Sequence, residues 1–285
     1  MPQAPPAGAS KGGAMSGKIR LGVSACLLGQ KVRYDGGHKR DAFLVETFGR
    51  FVEWVPVCPE VEYGLPVPRE AMRLVGRPGD CRLVTIRTKI DHTEGMKSWA
   101  QRRLVELAQL DLTGFVFKSK SPSSGLRGVK VYNDQGMPSQ SGIGIFAKAF
   151  VERFPLTPVE DDGRLHDPGL RENFIERLFV FKRWQDMLKG NPSLGALVEF
   201  HTEHKFLLLS HSPEHYTKLG RLVAEGRSYT SKELYDLYLS LAKGIHAPLY
   251  NTPGNHEMLG WEDEKKVPLS NPLSGDGMYR KKIGS

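Results

Sequence analysis

The chain has 285 residues, 39% hydrophobic and 25% charged, which is the composition of an ordinary globular protein with room for two domains. No stretch approaches the ~20 consecutive apolar residues of a membrane-spanning helix, so no membrane partner is expected. Three cysteines in a chain of this length argue against a disulfide scaffold and favour a reducing, cytoplasmic compartment.

The net charge of +8 is unevenly distributed along the chain. Residues 1–150 carry 22 lysines and arginines against 13 acidic residues, whereas residues 151–285 carry 18 against 19. A basic half attracts anions, of which nucleic acid is the commonest large one, although many globular proteins of other function carry a similar bias.

The first part of the chain predicts two buried strands, each followed by a cysteine. An apolar run predicts the first strand over 19–25, and Cys26 follows at its end. Apolar residues at helical spacing then predict a helix over 41–50. The second strand is predicted over 51–57, with Cys58 just past it.

Two further strands and a long helix are predicted before residue 120. Alternating residues predict a strand over 81–87, and an amphipathic pattern predicts a helix over 94–110. The strand predicted over 112–118 leads into Ser-Pro-Ser-Ser-Gly at 121–125. Strands that alternate with helices indicate an α/β fold with a mainly parallel sheet and flanking helices.

Three motifs follow the ends of predicted strands, and the carboxyl edge of an open α/β sheet is where ligands bind. We therefore expect Cys26, Cys58 and Ser124 to lie close together, despite their wide separation in the sequence.

The second half of the chain predicts a smaller all-α domain. An acidic segment with Pro and Gly at 160–169 predicts a linker or surface loop. Helices are predicted over 172–188, 194–209, 213–225 and 231–243. The expected division is a disordered tail at 1–17, an α/β domain at 18–150, a helical linker region at 151–192, a helical domain at 193–246 and an irregular tail at 247–285.

The cysteine motifs suit an iron–sulfur cluster because thiolates are soft ligands. A cluster held by three cysteines leaves one iron open, and that iron could bind a substrate sulfur as a Lewis acid. Glu60, two residues after Cys58, is a candidate base for activating water. Ser121 could pass a proton or hold the reacting group. Arg33 and Arg69 could neutralise an anionic substrate.

Each of these residues also has a simpler alternative role. A lone cysteine is usually a buried packing residue, which is the preferred interpretation for Cys81. Glu60 could be a surface carboxylate, and Ser121 could be a turn residue before proline. The chain also contains a histidine group: His201, His204, His211 and His215. This group lacks the H-E-x-x-H spacing of a zinc site and has no cysteine nearby, so a helix face that is polar, packs or meets phosphate is favoured.

The three motifs closely resemble those of the thiouracil desulfidase family. They are Ser-Ala-Cys-Leu-Leu-Gly at 24–29 with Arg-Tyr-Asp-Gly at 33–36, Cys-Pro-Glu at 58–60 with Gly-Leu-Pro at 64–66, and Ser-Pro-Ser-x-Gly at 121–125. The segment Phe-His-Thr-Glu-His-Lys-Phe-Leu-Leu-Leu-Ser-His-Ser at 200–212, with Tyr216 and Leu-Gly-Arg at 219–221, resembles the helical YbgA-like domain. The resemblance is to bacterial enzymes that fuse both domains and remove sulfur from 4-thiouridine in tRNA.

The resemblance implies a [4Fe-4S] cluster on three cysteines, whose open iron takes the thiocarbonyl sulfur of a thiolated pyrimidine or tRNA. Water then replaces sulfur with oxygen, without net redox change. Carried over by motif, Cys26 and Cys58 are two ligands. Glu60 and Ser121 form the catalytic pair, with Glu53 as the alternative carboxylate. The residues implied in substrate binding are Arg33, Asp35 and Arg69.

Two departures from the family pattern bear on activity. The third ligand is expected at position 124, where this chain has Ser124. A serine hydroxyl is a hard donor that ionises only at much higher pH than a thiol, so the cluster could be weak, could use Cys81 or could be absent. The helical domain also ends early, at a tail that begins near residue 247. Besides desulfidation of thiolated uracil, the alternative is a non-catalytic RNA- or nucleotide-binding relative that has lost the cluster.

Overall fold

A computed structural model of the protein describes residues 18–77, 79–190 and 192–245. The tails predicted at 1–17 and 247–285 lie outside these residues. The strands are β1 (Ile19–Ser24), β2 (Val52–Val57), β3 (Met72–Arg77), β4 (Asp80–Thr85), β5 (Gly114–Phe117), β6 (Val129–Tyr132), β7 (Pro138–Gly142) and β8 (Val159–Asp161). The helices are α1 (Pro59–Tyr63), α2 (Thr93–Gln109), α3 (Ile145–Arg153), α4 (Pro168–Lys189), α5 (Leu194–Glu203), α6 (Lys205–His211), α7 (Pro213–Ala224) and α8 (Ser231–Ile245).

Four strands form a parallel sheet in the order β2–β1–β5–β8. Strand β1 is central, and its Leu21 and Val23 are completely buried, as expected for a parallel strand covered on both faces. The predicted α/β fold with a smaller all-α part is confirmed. The three strands that were predicted to carry the motifs, now β1, β2 and β5, are adjacent in this sheet.

The strand predicted at 81–87 is observed as β4, but it does not join the parallel sheet. It forms an antiparallel hairpin with β3 in a second sheet of order β4–β3–β6–β7. Leu74, Leu83 and Val131 of this sheet are buried, whereas Arg82 and Lys130 are exposed. Arginine alternating with apolar residues is typical of a sheet with one face in solvent, which a buried parallel sheet does not have.

The surface loop predicted at 160–169 is wrong at its first residues, which belong to strand β8. Glu160 and Asp161 are buried, with only 2% and 3% of their surfaces exposed. The Arg127 guanidinium lies 2.9 Å from the Glu160 carboxylate and 3.7 Å from that of Asp161, so it offsets the cost of burying two negative charges. This strand extends the α/β sheet past residue 150, which was the predicted domain boundary. Because its residues are acidic, the sequence did not predict a buried strand here.

The helices predicted in the second half are confirmed, with one break. The helix predicted over 194–209 is two helices, α5 and α6, which meet at His204. The Nδ1 atom of His204 lies 2.7 Å from the Phe200 carbonyl, so this side chain satisfies a backbone acceptor where α5 ends. Among the described residues, no helix is both long and apolar enough to cross a membrane.

The short helix predicted over 41–50 is irregular. It consists of a π-helical turn at Phe43–Thr47 and a 3₁₀ turn at Phe48–Arg50. Leu44 and Phe48 of these turns are buried against β1 and β2, so the apolar spacing reflects real packing even though the helix is not a regular one.

Helix α4 contributes to two hydrophobic cores. Near its amino end, Phe174 and Leu178 pack in the same cluster as Leu21 of the parallel sheet. Near its carboxyl end, Trp184 packs among the helices of the second half and stacks on Tyr238 with ring centroids 5.6 Å apart. One continuous helix therefore joins the α/β part to the all-α part.

Candidate functional site

A cleft of about 490 Å³ lies at the carboxyl edge of β1, β2 and β5. Parallel strands expose their loops together at this edge, which explains why distant segments meet here. Of the residues singled out in the sequence, the following line the cleft: Cys26, Arg33, Cys58, Glu60, Arg69, Ser121 and Ser124. The expected convergence of residues 26, 58 and 124 is therefore observed.

Cys26 is held by a tight turn directly after β1. It lies in a 3₁₀ turn, Ala25–Leu28, and its carbonyl accepts hydrogen bonds from the backbone N–H groups of Gly29 (3.3 Å) and Lys39 (2.9 Å). Gly29 has a φ of +90°, a left-handed conformation that favours glycine. Burial raises the pKa of the Cys26 thiol to about 11, although the nearby Lys118 ammonium partly opposes the rise.

Cys58 caps the amino end of α1, and its backbone N–H donates to the Glu62 carboxylate at 2.9 Å. Its sulfur lies 3.5 Å from Oε2 of Glu60. Burial, with a contribution from the Glu60 charge, raises the pKa of the Cys58 thiol to about 12. Both thiols are therefore protonated at neutral pH, and binding of a metal would release their protons.

Glu60 is the centre of a hydrogen-bonded group in the cleft. Its Oε1 accepts a 2.6 Å hydrogen bond from the Ser123 hydroxyl, which in turn lies 3.0 Å from the Ser121 hydroxyl. Its Oε2 lies 3.8 Å from the guanidinium of Arg69. The predicted pair of Glu60 and Ser121 is thus linked through a third side chain, Ser123, which is completely buried.

Ser123 was missed in the sequence, although it lies inside the Ser-Pro-Ser-Ser-Gly motif. Its position between Ser121 and Ser124, the two predicted site residues, was the only indication of a role. A serine that precedes another serine does not by itself predict a functional residue. Lys118 was missed as well. Lys118 lines the cleft; its ammonium lies 2.9 Å from the Asp162 carboxylate, and its backbone N–H donates to the Ser24 hydroxyl.

Ser124 occupies the position at which a third sulfur ligand is expected. It is 4% exposed, and its backbone N–H donates to the Ser121 hydroxyl at 3.2 Å. Its own hydroxyl lies 3.4 Å from that of Ser123. Cys81, considered as a substitute ligand, lies on β4 with its sulfur 3.1 Å from the Arg77 carbonyl, and it is not part of the cleft lining.

The donor set fits an iron–sulfur cluster at two of its three expected positions. Cys26 and Cys58 supply soft sulfur donors to one cleft, whereas Ser124 supplies a hard oxygen donor. Within the described residues, no group of three or more His, Cys, Asp or Glu side chains is arranged to hold a metal ion. A cluster in this cleft would therefore be attached through two thiolates, with the serine oxygen at the third corner.

The remaining predicted residues divide between the cleft and its surroundings. Arg33 lies on the cleft wall, but Asp35 is exposed outside it and pairs with Arg33 at 3.4 Å. A hydrogen bond from the Gly37 backbone N–H lowers the pKa of Asp35. Glu53, the alternative carboxylate, lies on β2 and pairs with Arg20 at 3.1 Å, away from the cleft lining.

The histidines of the helical part have partners within the protein. Nδ1 of His201 lies 3.0 Å from the Tyr238 hydroxyl, and Nε2 of His204 lies 3.2 Å from the Arg183 guanidinium. Burial lowers the pKa of both imidazoles. These contacts are those of a packed helix face, the interpretation that the sequence favoured over a zinc site.

The chain was compared with known families and structures. A model of the family described as 2-thiouracil desulfurase matches residues 21–162, and one described as protein of unknown function DUF1722 matches residues 205–251. The chain is 31% identical to a solved structure, the [4Fe-4S]-dependent thiouracil desulfidase TudS. That similarity covers 55% of this chain and 99% of TudS, with a TM-score of 0.44. No curated protein matches the chain significantly.

Proposed function

Because the chain belongs to the 2-thiouracil desulfurase family, we propose that it replaces the thiocarbonyl sulfur of a thiolated uracil with oxygen from water. The reaction converts C=S and water into C=O and hydrogen sulfide, so it needs no oxidant or reductant. The finer proposal is a [4Fe-4S]-dependent reaction on 4-thiouridine in tRNA, in a bacterial cytoplasm.

The observation that carries this proposal is the meeting of two thiols and a hydrogen-bonded carboxylate in one cleft. Cys26 follows β1 whereas Cys58 and Glu60 follow β2, yet all three line the same 490 Å³ space. The family similarity covers this whole part of the chain, from residue 21 to residue 162. A packing role for the cysteines would not require a cleft beside them.

In the proposed site, Cys26 and Cys58 would hold the cluster, with Ser124 at the third corner. When bound, the cluster would supply a Lewis-acidic iron with affinity for the thiocarbonyl sulfur. Holding the cluster would require both thiols to give up their protons, because thiolates are the ligands.

The side chains around Glu60 would carry the proton transfers. The Glu60 carboxylate accepts the proton of the attacking water on Oε2, since Oε1 is taken by the Ser123 hydroxyl at 2.6 Å. The Arg69 guanidinium lies 3.8 Å from Oε2, beyond hydrogen-bond distance, and only the weakly donating Cys58 thiol is nearer. The Ser121 hydroxyl would donate a hydrogen bond to the reacting thiocarbonyl group or pass it a proton. Arg33 and Arg69 stabilise negative charge that develops on the pyrimidine ring or arrives with a phosphate.

The RNA substrate and the division into functional parts belong to the same proposal. The net charge of +9 in residues 1–150 and the lysines of the cleft suit a polyanion. As the functional division of the chain we propose the α/β domain predicted at 18–150, extended to include β8, and the helical domain at 193–246, with helix α4 of the predicted linker region at 151–192 between them.

The proposal is tested by purifying the chain without oxygen and assaying 4-thiouridine and 4-thiouracil. We expect a coloured protein that contains iron and acid-labile sulfide, releases sulfide from the substrate and forms the oxygen analogue. A colourless, iron-free protein that releases no sulfide after reconstitution would contradict it.

Ser124 favours one alternative, a binding protein that has lost the cluster. A hydroxyl at this position removes one of three thiolates, so the affinity for iron must be lower than with three cysteines. Measuring RNA binding together with sulfide release distinguishes the two functions. The binding protein would retain affinity for RNA or nucleotides but would release no sulfide.

Removal of the Ser123 hydroxyl is expected to slow the reaction by about 10–100-fold, mainly in kcat. In Ser123→Ala, the Glu60 carboxylate loses its 2.6 Å donor and Ser121 loses its link to Glu60. Sulfide release under saturating substrate measures the effect, with iron content determined in parallel. Ser119→Ala is the matched control, since that hydroxyl contacts Lys118 instead. Equal losses in both variants would contradict a positioning role.

A further inference from the structure

The second sheet presents one basic face outside the cleft. Alternation along its strands places the inward residues Leu74, Leu83 and Val131 in the hydrophobic core, which also contains Met96 and Trp99 of helix α2. The opposite side, here called the outer face, consists of Arg73, Val75, Arg77, Asp80, Arg82, Val84, Lys130 and Tyr132. All of these side chains except Val84, which is buried, are exposed or half-buried.

The outer face combines positive charge with an aromatic ring. Its four cations, Arg73, Arg77, Arg82 and Lys130, outnumber its single carboxylate, Asp80. Arg82 is 64% exposed and its pairing with Asp91 is loose, at 3.7 Å. Such an exposed, distant ion pair leaves the arginine available to another anion.

Tyr132 lies among these cations on the outer face. The register places Val75 between Arg82 on β4 and Tyr132 on β6, and the Arg73 guanidinium lies 4.7 Å from the centre of the Tyr132 ring. Because the Arg73 guanidinium covers one side of this half-exposed ring, an unpaired base would stack on the guanidinium or on the other side of the ring, with its phosphates on the remaining cations.

The outer face begins where the cleft ends. Residues 69–72 line the cleft and lead directly into β3, whose next residue, Arg73, is the first of the outer face. From Met72 to Arg77 the strand covers roughly 17 Å. A nucleic-acid strand presents several phosphates over such a length.

We propose that the outer face of the second sheet binds single-stranded RNA that leads to or from the cleft. The proposal rests on the proposed function for the nature of the substrate. An RNA strand is favoured over an acidic polypeptide because the face offers a stacking surface as well as cations. The RNA would hold a thiolated base near the cleft through contacts that are independent of the base itself.

The test compares the full chain with Arg82→Glu/Lys130→Glu, using the fluorescence anisotropy of labelled oligouridine over a range of salt concentrations. We expect affinity to fall by about tenfold or more, and the slope of log K against log salt to decrease by about 2. Tyr132→Leu should weaken binding by roughly tenfold without changing this slope.

The matched control is Lys97→Glu/Arg102→Glu, which makes the same change in charge on exposed positions of α2. This helix covers the inward side of the sheet, so RNA binding should not change. The proposal is overturned if the outer-face variants bind oligouridine as tightly as the unchanged chain, or if the control loses as much affinity. It is equally overturned if the outer-face variants lose only the binding of labelled polyglutamate.

Turnover of free 4-thiouridine by the same variants separates this proposal from the proposed function. We expect the outer-face variants to release sulfide from the free nucleoside as fast as the unchanged chain does. If neither the variants nor the unchanged chain releases sulfide, the proposed function is wrong. The oligouridine titration still tests the role of the outer face in that case.

Discussion

Replacement of Ser124 by cysteine is expected to raise the affinity of the protein for its iron–sulfur cluster by roughly tenfold or more, since even indirect partners of a metal ligand change affinity by about 10–100-fold. The change swaps one oxygen for sulfur at a buried position in the cleft that contains Cys26 and Cys58. The Ser124 hydroxyl is only weakly bonded, at 3.4 Å from Ser123, so little is lost by the exchange. Iron and acid-labile sulfide per chain, measured after anaerobic purification, give the result.

Ser119→Cys is the control for the added thiol, because residue 119 lines the same cleft but lies outside the proposed ligand set. We expect it to leave iron content unchanged. If Ser124→Cys gains no iron, or if both variants gain equally, residue 124 is not the third ligand. In Ser124→Cys, sulfide release from 4-thiouridine should rise together with iron content. This result would show that the residue at position 124 limits the activity of the chain.

Replacement of Glu60 by glutamine is expected to reduce kcat by about 10²–10⁴-fold, the usual contribution of a general base. Glutamine keeps the shape of the side chain and can still accept the Ser123 hydrogen bond, but it cannot take a proton from water. Cluster content should be retained, because Glu60 is not among the proposed ligands. The measurement is single-turnover sulfide release at equal iron content.

Glu53→Gln is the natural control for this substitution. Glu53 was the alternative carboxylate in the sequence, but it pairs with Arg20 on β2 and does not line the cleft. We expect it to keep full activity. Should Glu53→Gln lose activity while Glu60→Gln keeps it, the assignment of the base would be reversed.

The sequence predicted the cleft through the order of its elements rather than through any single residue. Cys26 and Cys58 each follow a strongly apolar strand, and parallel strands place such positions at one edge. The convergence therefore follows from the order of the strands alone. The same reasoning failed for strand β4, because alternation reveals a strand but not the sheet that it joins.

Contacts between distant segments were beyond prediction. Ser123 reaches Glu60 across 63 positions of the sequence, and Arg127 compensates two carboxylates on a strand more than 30 residues away. Such pairs follow from the three-dimensional path of the chain, which local patterns do not encode. Acidic residues in β8 consequently suggested a surface loop, although they are among the most deeply buried charges of the protein.

The double role of helix α4 limits where the chain can be divided. A fragment that stops before Pro168 would remove Phe174 and Leu178 from the cluster that contains Leu21, and would leave cavities beside β1, the strand that precedes Cys26. A fragment that starts after Lys189 would in turn lack Trp184. The two halves are thus expected to depend on one another for stability, even though each has a separate relative among known families.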